Sequence, residues 1–351
     1  MKSTAPGYMI LLTLMISAIA VAAVTYVARK RSVYVPLAYG LLAEEKACQM
    51  AASGIQVALS QLAGRKKTEA DKDKKSDDVH GADKQMLNFL LPVLGRWQTF
   101  PLYEKTDGIN GSIKICITSE DGKLDLNAAY DFKEKKFLGE KENNEEKNYR
   151  TIIEKFLTTV GTIVGAPNLF QGLEEFLKKQ DAPLSDITQL LTIKEFEPFK
   201  STVFYEPSDN KKNIALADLF TVWGTTGLTM NAWLLSPSIQ RSIGTMQSDF
   251  MVKMDDALVK TVVDSYDPNL KLAQAWEKMF TPLYGIPLAS LPTYVKGVLD
   301  IKFGPRVFSV LSYGIVGKTT QKLLAIITLK KDPSSGSDAA YSVVIKKLYW
   351  L

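Results

Sequence analysis

Twenty-one consecutive residues without a charge, Tyr8 to Ala28, limit this chain more than any other feature. At about 1.5 Å of helical rise per residue the run reaches roughly 30 Å, the thickness of a bilayer's hydrocarbon core. A cleavable secretory signal has a shorter apolar core of about 7–15 residues. The run therefore reads as a membrane-crossing helix, with an uncleaved signal anchor as the competing account. Arg29-Lys30-Arg31 follows it, whereas only Lys2 and the terminal amine precede it. Taken alone, that asymmetry places the bulk of the chain in the cytoplasm.

The helical pattern does not stop at the membrane surface. Leu41, Cys48, Ile55 and Leu62 recur every seven residues, and Leu37, Ala51, Ala58 and Leu59 widen the stripe. Such spacing makes an amphipathic helix that ends near Leu62. Pro36 and Gly40 mark where it could kink or loosen. One helix from bilayer to folded head would be about 55 residues and ~80 Å long.

Composition narrows the chemistry. The net charge of +5 is small for 351 residues, and basic residues are interleaved with acidic ones, so nucleic-acid binding is not indicated. Two cysteines, Cys48 and Cys116, cannot form a zinc site alone. The single histidine, His80, lies in the charged stretch Arg65–Lys84, which reads as a solvated link. Triad catalysis would have to run through that residue, so no catalytic residue is assigned and the chain is not read as an enzyme.

Beyond the link the pattern alternates between strand and helix. A short helix is expected near Gln85–Leu94, and strands near Trp97–Tyr103 and Ser112–Thr118. In the second strand Ile113, Ile115 and Ile117 oppose Lys114, Cys116 and Thr118. Ser119–Ala129 does not fit a calcium loop, because Ile117 and Ser119 stand where a carboxylate or amide is needed and Ala128 where a glutamate is needed. Tyr130 to Tyr294 is mostly helical in spacing, with Ser185 and Asp186 as available caps for a helix through "LSDITQLLTIKEF". That segment resembles a helix-hairpin-helix but lacks the glycine hairpin and basic flank.

The stretch "SYGIVGKTTQKLLAIITL" imitates a phosphate loop. The required glycine five places before Gly317 is Ser312, and only 32 residues follow Thr319, too few to complete a parallel nucleotide-binding sheet. A nucleotide hydrolase resting on Lys318 is therefore disfavoured. Arg306–Val316, Thr320–Leu329 and Tyr341–Tyr349 instead read as an antiparallel meander around a Gly317-Lys318 turn.

A lysine-bearing leader ending in Gly7, with Tyr8 opening an apolar helix, resembles a type IV prepilin. The fifth position after that junction, glutamate in most such proteins, is Leu12. That departure, the Gly122–Ala129 segment, "LADLFTVWGTTGLTMNAWLLSP" at Leu216–Pro237 and the Phe308–Val316 strand together resemble the general secretion pathway protein K family, the minor pseudopilins of type II secretion. Met230 and Trp233 depart from the family pattern, while Asn231 and Ala232 keep it; a buried asparagine capping backbone is the expectation there.

The resemblance implies an α+β, type IV pilin-like fold: a long N-terminal helix packed on a small antiparallel sheet, with a large helical insertion. The implied parts are a leader (1–7), the N-terminal helix (8–62), a charged link (63–84), the first part of the head (85–129), the insertion (130–300) and the closing strands (301–351). It implies prepilin peptidase cleavage between Gly7 and Tyr8, N-methylation of Tyr8, and a single-pass inner-membrane protein with its globular part in the periplasm. Its role would be to initiate or cap a pseudopilus beside the other minor pseudopilins. No cofactor is expected, although calcium is known in the family; no ligand is assigned. A Cys48–Cys116 disulfide and two separate buried thiols both remain open. The alternative is a signal-anchored protein with an interaction domain unrelated to secretion.

Overall fold

The computed structural model describes residues 5–63, 81–139, 148–204, 214–224, 227, 229–245, 254–331 and 341–351. His80 and most of the charged link lie outside them. The first element, α1 (Ala5–Leu62), is a helix of 58 residues that continues through Pro36. At 1.5 Å per residue it is about 87 Å long.

Its two halves meet different surroundings. From Ile10 to Leu42 every large apolar side chain is exposed. From Ala47 onward Met50, Ala51, Ile55, Ala58 and Leu62 are buried at spacings of three and four. The expected stripe is thus corrected at its start: Leu37 and Leu41 are exposed, and Cys48 sits on the flank of the buried face. A seven-residue repeat drifts around a straight helix, so its early members leave the packed side.

The buried half lies on a five-stranded antiparallel sheet. Its strands are β1 (Trp97–Leu102), β2 (Gly111–Ser119), β3 (Val307–Val316), β4 (Thr319–Lys331) and β5 (Tyr341–Trp350), in that spatial order. The alternating isoleucines behave as their spacing requires: Ile113, Ile115 and Ile117 join Ala51 and Ile55 in one core. Cys116 points the other way, into a second cluster with Trp97, Ala215 and Leu311. Strand β3 is therefore covered on both faces, which explains why its residues are buried almost without a break. The β3–β4 connection is a tight turn with Gly317 at a φ of 58°, a conformation that favours glycine. Gly317-Lys318-Thr319 thus belongs to a hairpin, and the phosphate-loop reading fails on topology.

Between β2 and β3 the chain builds a mainly helical segment. Its longer regular pieces are α3 (Tyr149–Val164), α4 (Leu169–Lys179) and α5 (Asp256–Asp264), while α2 (Gly81–Leu90) precedes β1. Asn148 caps α3 by accepting from the Thr151 N–H at 3.2 Å, and Gly165 ends it with a φ of 77°. The helix expected through Leu184–Phe196 is instead two short 3₁₀ segments, Ile187–Thr192 and Lys194–Ser201. Of the two candidate caps, Asp186 is the one used, in a capping box with Gln189.

Of the two accounts left open for the cysteines, the fold matches the separate thiols. Cys48 and Cys116 are free thiols, and β2 turns Cys116 away from the face on which α1 packs. The sheet stands between the two sulfurs.

Candidate functional site

The long helix and its seat on the sheet form the first candidate surface. Small residues at Ala47, Ala51, Gly54 and Ala58 let the helix approach the strands closely. A Cβ placed on Gly314 of β3 would collide with the backbone carbonyl oxygen of Ala47 and stand 2.7 Å from the Ala51 nitrogen. A Cβ on Gly54 would meet Ser312 and stand 2.8 Å from Ile113 Cγ2. Helix and sheet thus touch backbone to backbone at one point, which fixes the height of the exposed apolar half over the head.

Gly7 and Tyr8 lie within the helical backbone of α1, and Leu12 is 42% exposed on its surface. Among the described residues the 18-residue window that is apolar enough to cross a membrane is wholly unburied. A helix apolar on every side and unburied needs an apolar solvent or packed neighbours.

A second candidate region lies where β2 leaves the sheet. After Ser119 the chain makes a 3₁₀ turn at Glu120–Gly122, a bridge at Leu124–Asp125 to Phe220–Thr221, and a helical turn at Leu126–Ala129. The side chains of Glu120, Asp121, Lys123, Asp125 and Asp218 are all buried here. Lys123 Nζ donates to Glu120 Oε1 at 2.5 Å and to Ser309 Oγ at 3.2 Å. Thr221 Oγ1 donates to Glu120 Oε2 at 2.5 Å. Asp121 Oδ2 accepts from the Arg306 N–H at 2.8 Å, joining this turn to the start of β3 across the whole insertion. Asp125 caps the following turn, accepting from Asn127 and Ala128 N–H groups at 2.9 and 3.1 Å.

These contacts do not fully answer the charge. Burial pushes the Asp218 carboxyl up to about 6, with the nearby Lys123 opposing it and Glu120 reinforcing it. Burial likewise pushes Asp125 up to about 6 despite its two backbone donors. The Cys116 thiol is held well above its ordinary range by the same desolvation.

Sequence reading found the Ser119–Ala129 segment by resemblance but not this network. The signal available was a polar run, "TSEDGKLD", directly after an apolar strand. Its burial depends on Asp218 and Ser309, which lie far along the chain. Asn231 behaves as expected: its Oδ1 accepts from the Trp233 N–H at 3.0 Å, and its Nδ2 donates to the Lys302 carbonyl at 2.7 Å. Among the described residues no cluster of three or more His, Cys, Asp or Glu side chains forms a metal-binding set.

No protein-family model matches the chain, and no curated protein matches it. Among solved structures it is similar to a chain in the crystal structure of the GspK-GspI-GspJ complex from the type 2 secretion system of enterotoxigenic Escherichia coli. The likeness covers 92% of this chain and 99% of that one, at 13% identity and a TM-score of 0.41. A similarity of that strength assigns neither a function nor a partner.

Proposed function

We propose that this chain is a minor pseudopilin of a type II secretion system that starts or caps the pseudopilus. The observation that carries the reading is the division of α1: an exposed apolar half long enough for a bilayer, continuous with a half seated on an antiparallel sheet. A subunit built this way keeps one helix in the membrane before assembly and offers that helix to neighbours within a filament. The Gly7-Tyr8 junction supports peptidase processing, after which Tyr8 would carry a methylated amine. Leu12 supports an end position, because a buried carboxylate there would need a partner amine from an adjoining subunit. The expected neighbours are the other minor pseudopilins, with the globular part in the periplasm.

Mass analysis of the mature N-terminus tests this, with the chain produced with and without a prepilin peptidase. The expected product begins at methylated Tyr8 only when the peptidase is present. A mature protein that retains Met1 in both cases sinks the proposal. Arg29-Lys30-Arg31 favours a second reading, a signal-anchored protein with a cytoplasmic interaction domain. Protease accessibility in spheroplasts separates them: digestion of the head from outside supports the pseudopilin, and protection supports the anchor.

A further inference from the structure

Between the Cys116 face of the sheet and the inserted segment lies a cavity of about 260 Å³. That is slightly below the roughly 300–1,000 Å³ common for small-molecule sites, and suits a compact ligand or one large side chain. Its lining mixes two chemistries: Phe204, Val222, Trp223 and Leu324 supply apolar and aromatic wall, while Glu120, Lys123 and Asp218 supply charge.

Two carboxylates there face a single ammonium. Lys123 is committed to Glu120 and Ser309, and Glu120 also accepts from Thr221. Asp218 is 4% exposed, and its carboxylate accepts from the Ser238 hydroxyl at 3.3 Å and from the Ser238 backbone N–H; Lys123 acts on it through space, but among the described residues no cation lies within ion-pair distance, 4.0 Å, of it. At the rim, Asp186 has Lys347 at 3.9 Å, so that carboxylate is answered. A buried carboxylate without a cation is costly, and the open volume beside it is where a cation would relieve that cost.

We propose that this cavity binds an amphipathic primary ammonium ion, with its charged head against Asp218 and its apolar body along Trp223 and Phe204. An anion would add a third negative charge beside Glu120 and Asp218. A neutral apolar molecule would fill the walls and leave Asp218 unanswered. The Trp223 ring already carries one cation, Lys347 Nζ at 5.6 Å from its centroid, so the wall is of a kind that accepts positive charge. The group can come from a free amine or from the lysine side chain of a partner peptide. The site stands on its own geometry and is independent of the pseudopilin reading.

The test is isothermal titration calorimetry on the full chain in lipid nanodiscs, with the heat of empty discs subtracted. Phenethylamine is expected to saturate one site with a Kd below about 1 mM. The alcohol of the same shape, 2-phenylethanol, and the anion 3-phenylpropionate are expected not to saturate. Asp218→Asn should weaken phenethylamine by about tenfold or more, because it removes a charge-assisted hydrogen bond. Ala217→Phe, which fills the cavity from its wall, should abolish binding and tests the site independently of Asp218. Nα-acetyl-lysine methylamide separates the sources: binding as tight as phenethylamine identifies a lysine side chain, and much weaker binding identifies a free aromatic amine. No saturable heat up to about 10 mM amine, equal binding of the alcohol, or wild-type affinity in both variants would each overturn the proposal.

Discussion

Asp218→Asn should stabilise the protein at neutral pH and do so only there. The carboxyl is buried, and its pKa is raised from 3.8 to about 6 in the folded state. In the unfolded chain it returns to about 3.9. The native state therefore holds this proton more tightly than the unfolded state does. Folding stability from this group is intact below pH ~4 and is lost as the pH rises toward ~6. A shift of about two units is worth roughly 3 kcal/mol at pH 7. Asparagine keeps the shape and an acceptor for Ser238 without the charge. The difference between variant and wild type should be close to zero at pH 4 and rise to about 2–3 kcal/mol in favour of the variant by pH 7. For a head of this size that is roughly 5–10 °C in Tm. Asp125 shifts in the same direction but cancels, because both proteins contain it. Urea titrations followed by tryptophan fluorescence, at half-unit steps from pH 4 to 7.5, read the curve directly. A difference that stays flat with pH, or a variant weaker than wild type at pH 7, refutes the reasoning.

Gly314→Val should force the sheet off α1, since the new side chain meets the helix backbone at Ala47 rather than a movable side chain; a loss of 1–3 kcal/mol or more in chemical denaturation is expected, and an unchanged midpoint would show that the seam is loose. Lys318→Ala should leave stability within about 0.5 kcal/mol and ATP binding undetectable in wild type and variant alike, because Lys318 lies in a hairpin turn. Asn231→Ala should cost about 1–3 kcal/mol by leaving the buried Trp233 N–H and Lys302 carbonyl without their partner, read as a shift in urea midpoint. Leu12→Glu should lower the chain's retention in the membrane fraction when it is produced alone, since no neighbouring amine is there to pair the carboxylate.

What the chain could declare by itself was everything governed by short-range repetition. Tyr8–Ala28 announces a long apolar helix, the alternating isoleucines of Ser112–Thr118 announce a half-buried strand, and the β-branched runs around Gly317 announce a hairpin. In each case the deciding forces act between residues a few positions apart, so spacing and turn chemistry suffice. Tertiary structure decided the rest. Leu37 and Leu41 look like members of the packed stripe, yet the sheet begins only near Ala47. Whether Cys48 and Cys116 could pair was open in the sequence, and the strand that turns Cys116 away from the α1 face decides it. The buried group of Glu120, Lys123 and Asp218 reads in sequence as ordinary surface polarity. Its members come from turns almost a hundred residues apart, and only the closing of the inserted segment against the sheet removes them from water. Burial, and the shifted acidity that follows from it, belongs to contacts that no local pattern encodes.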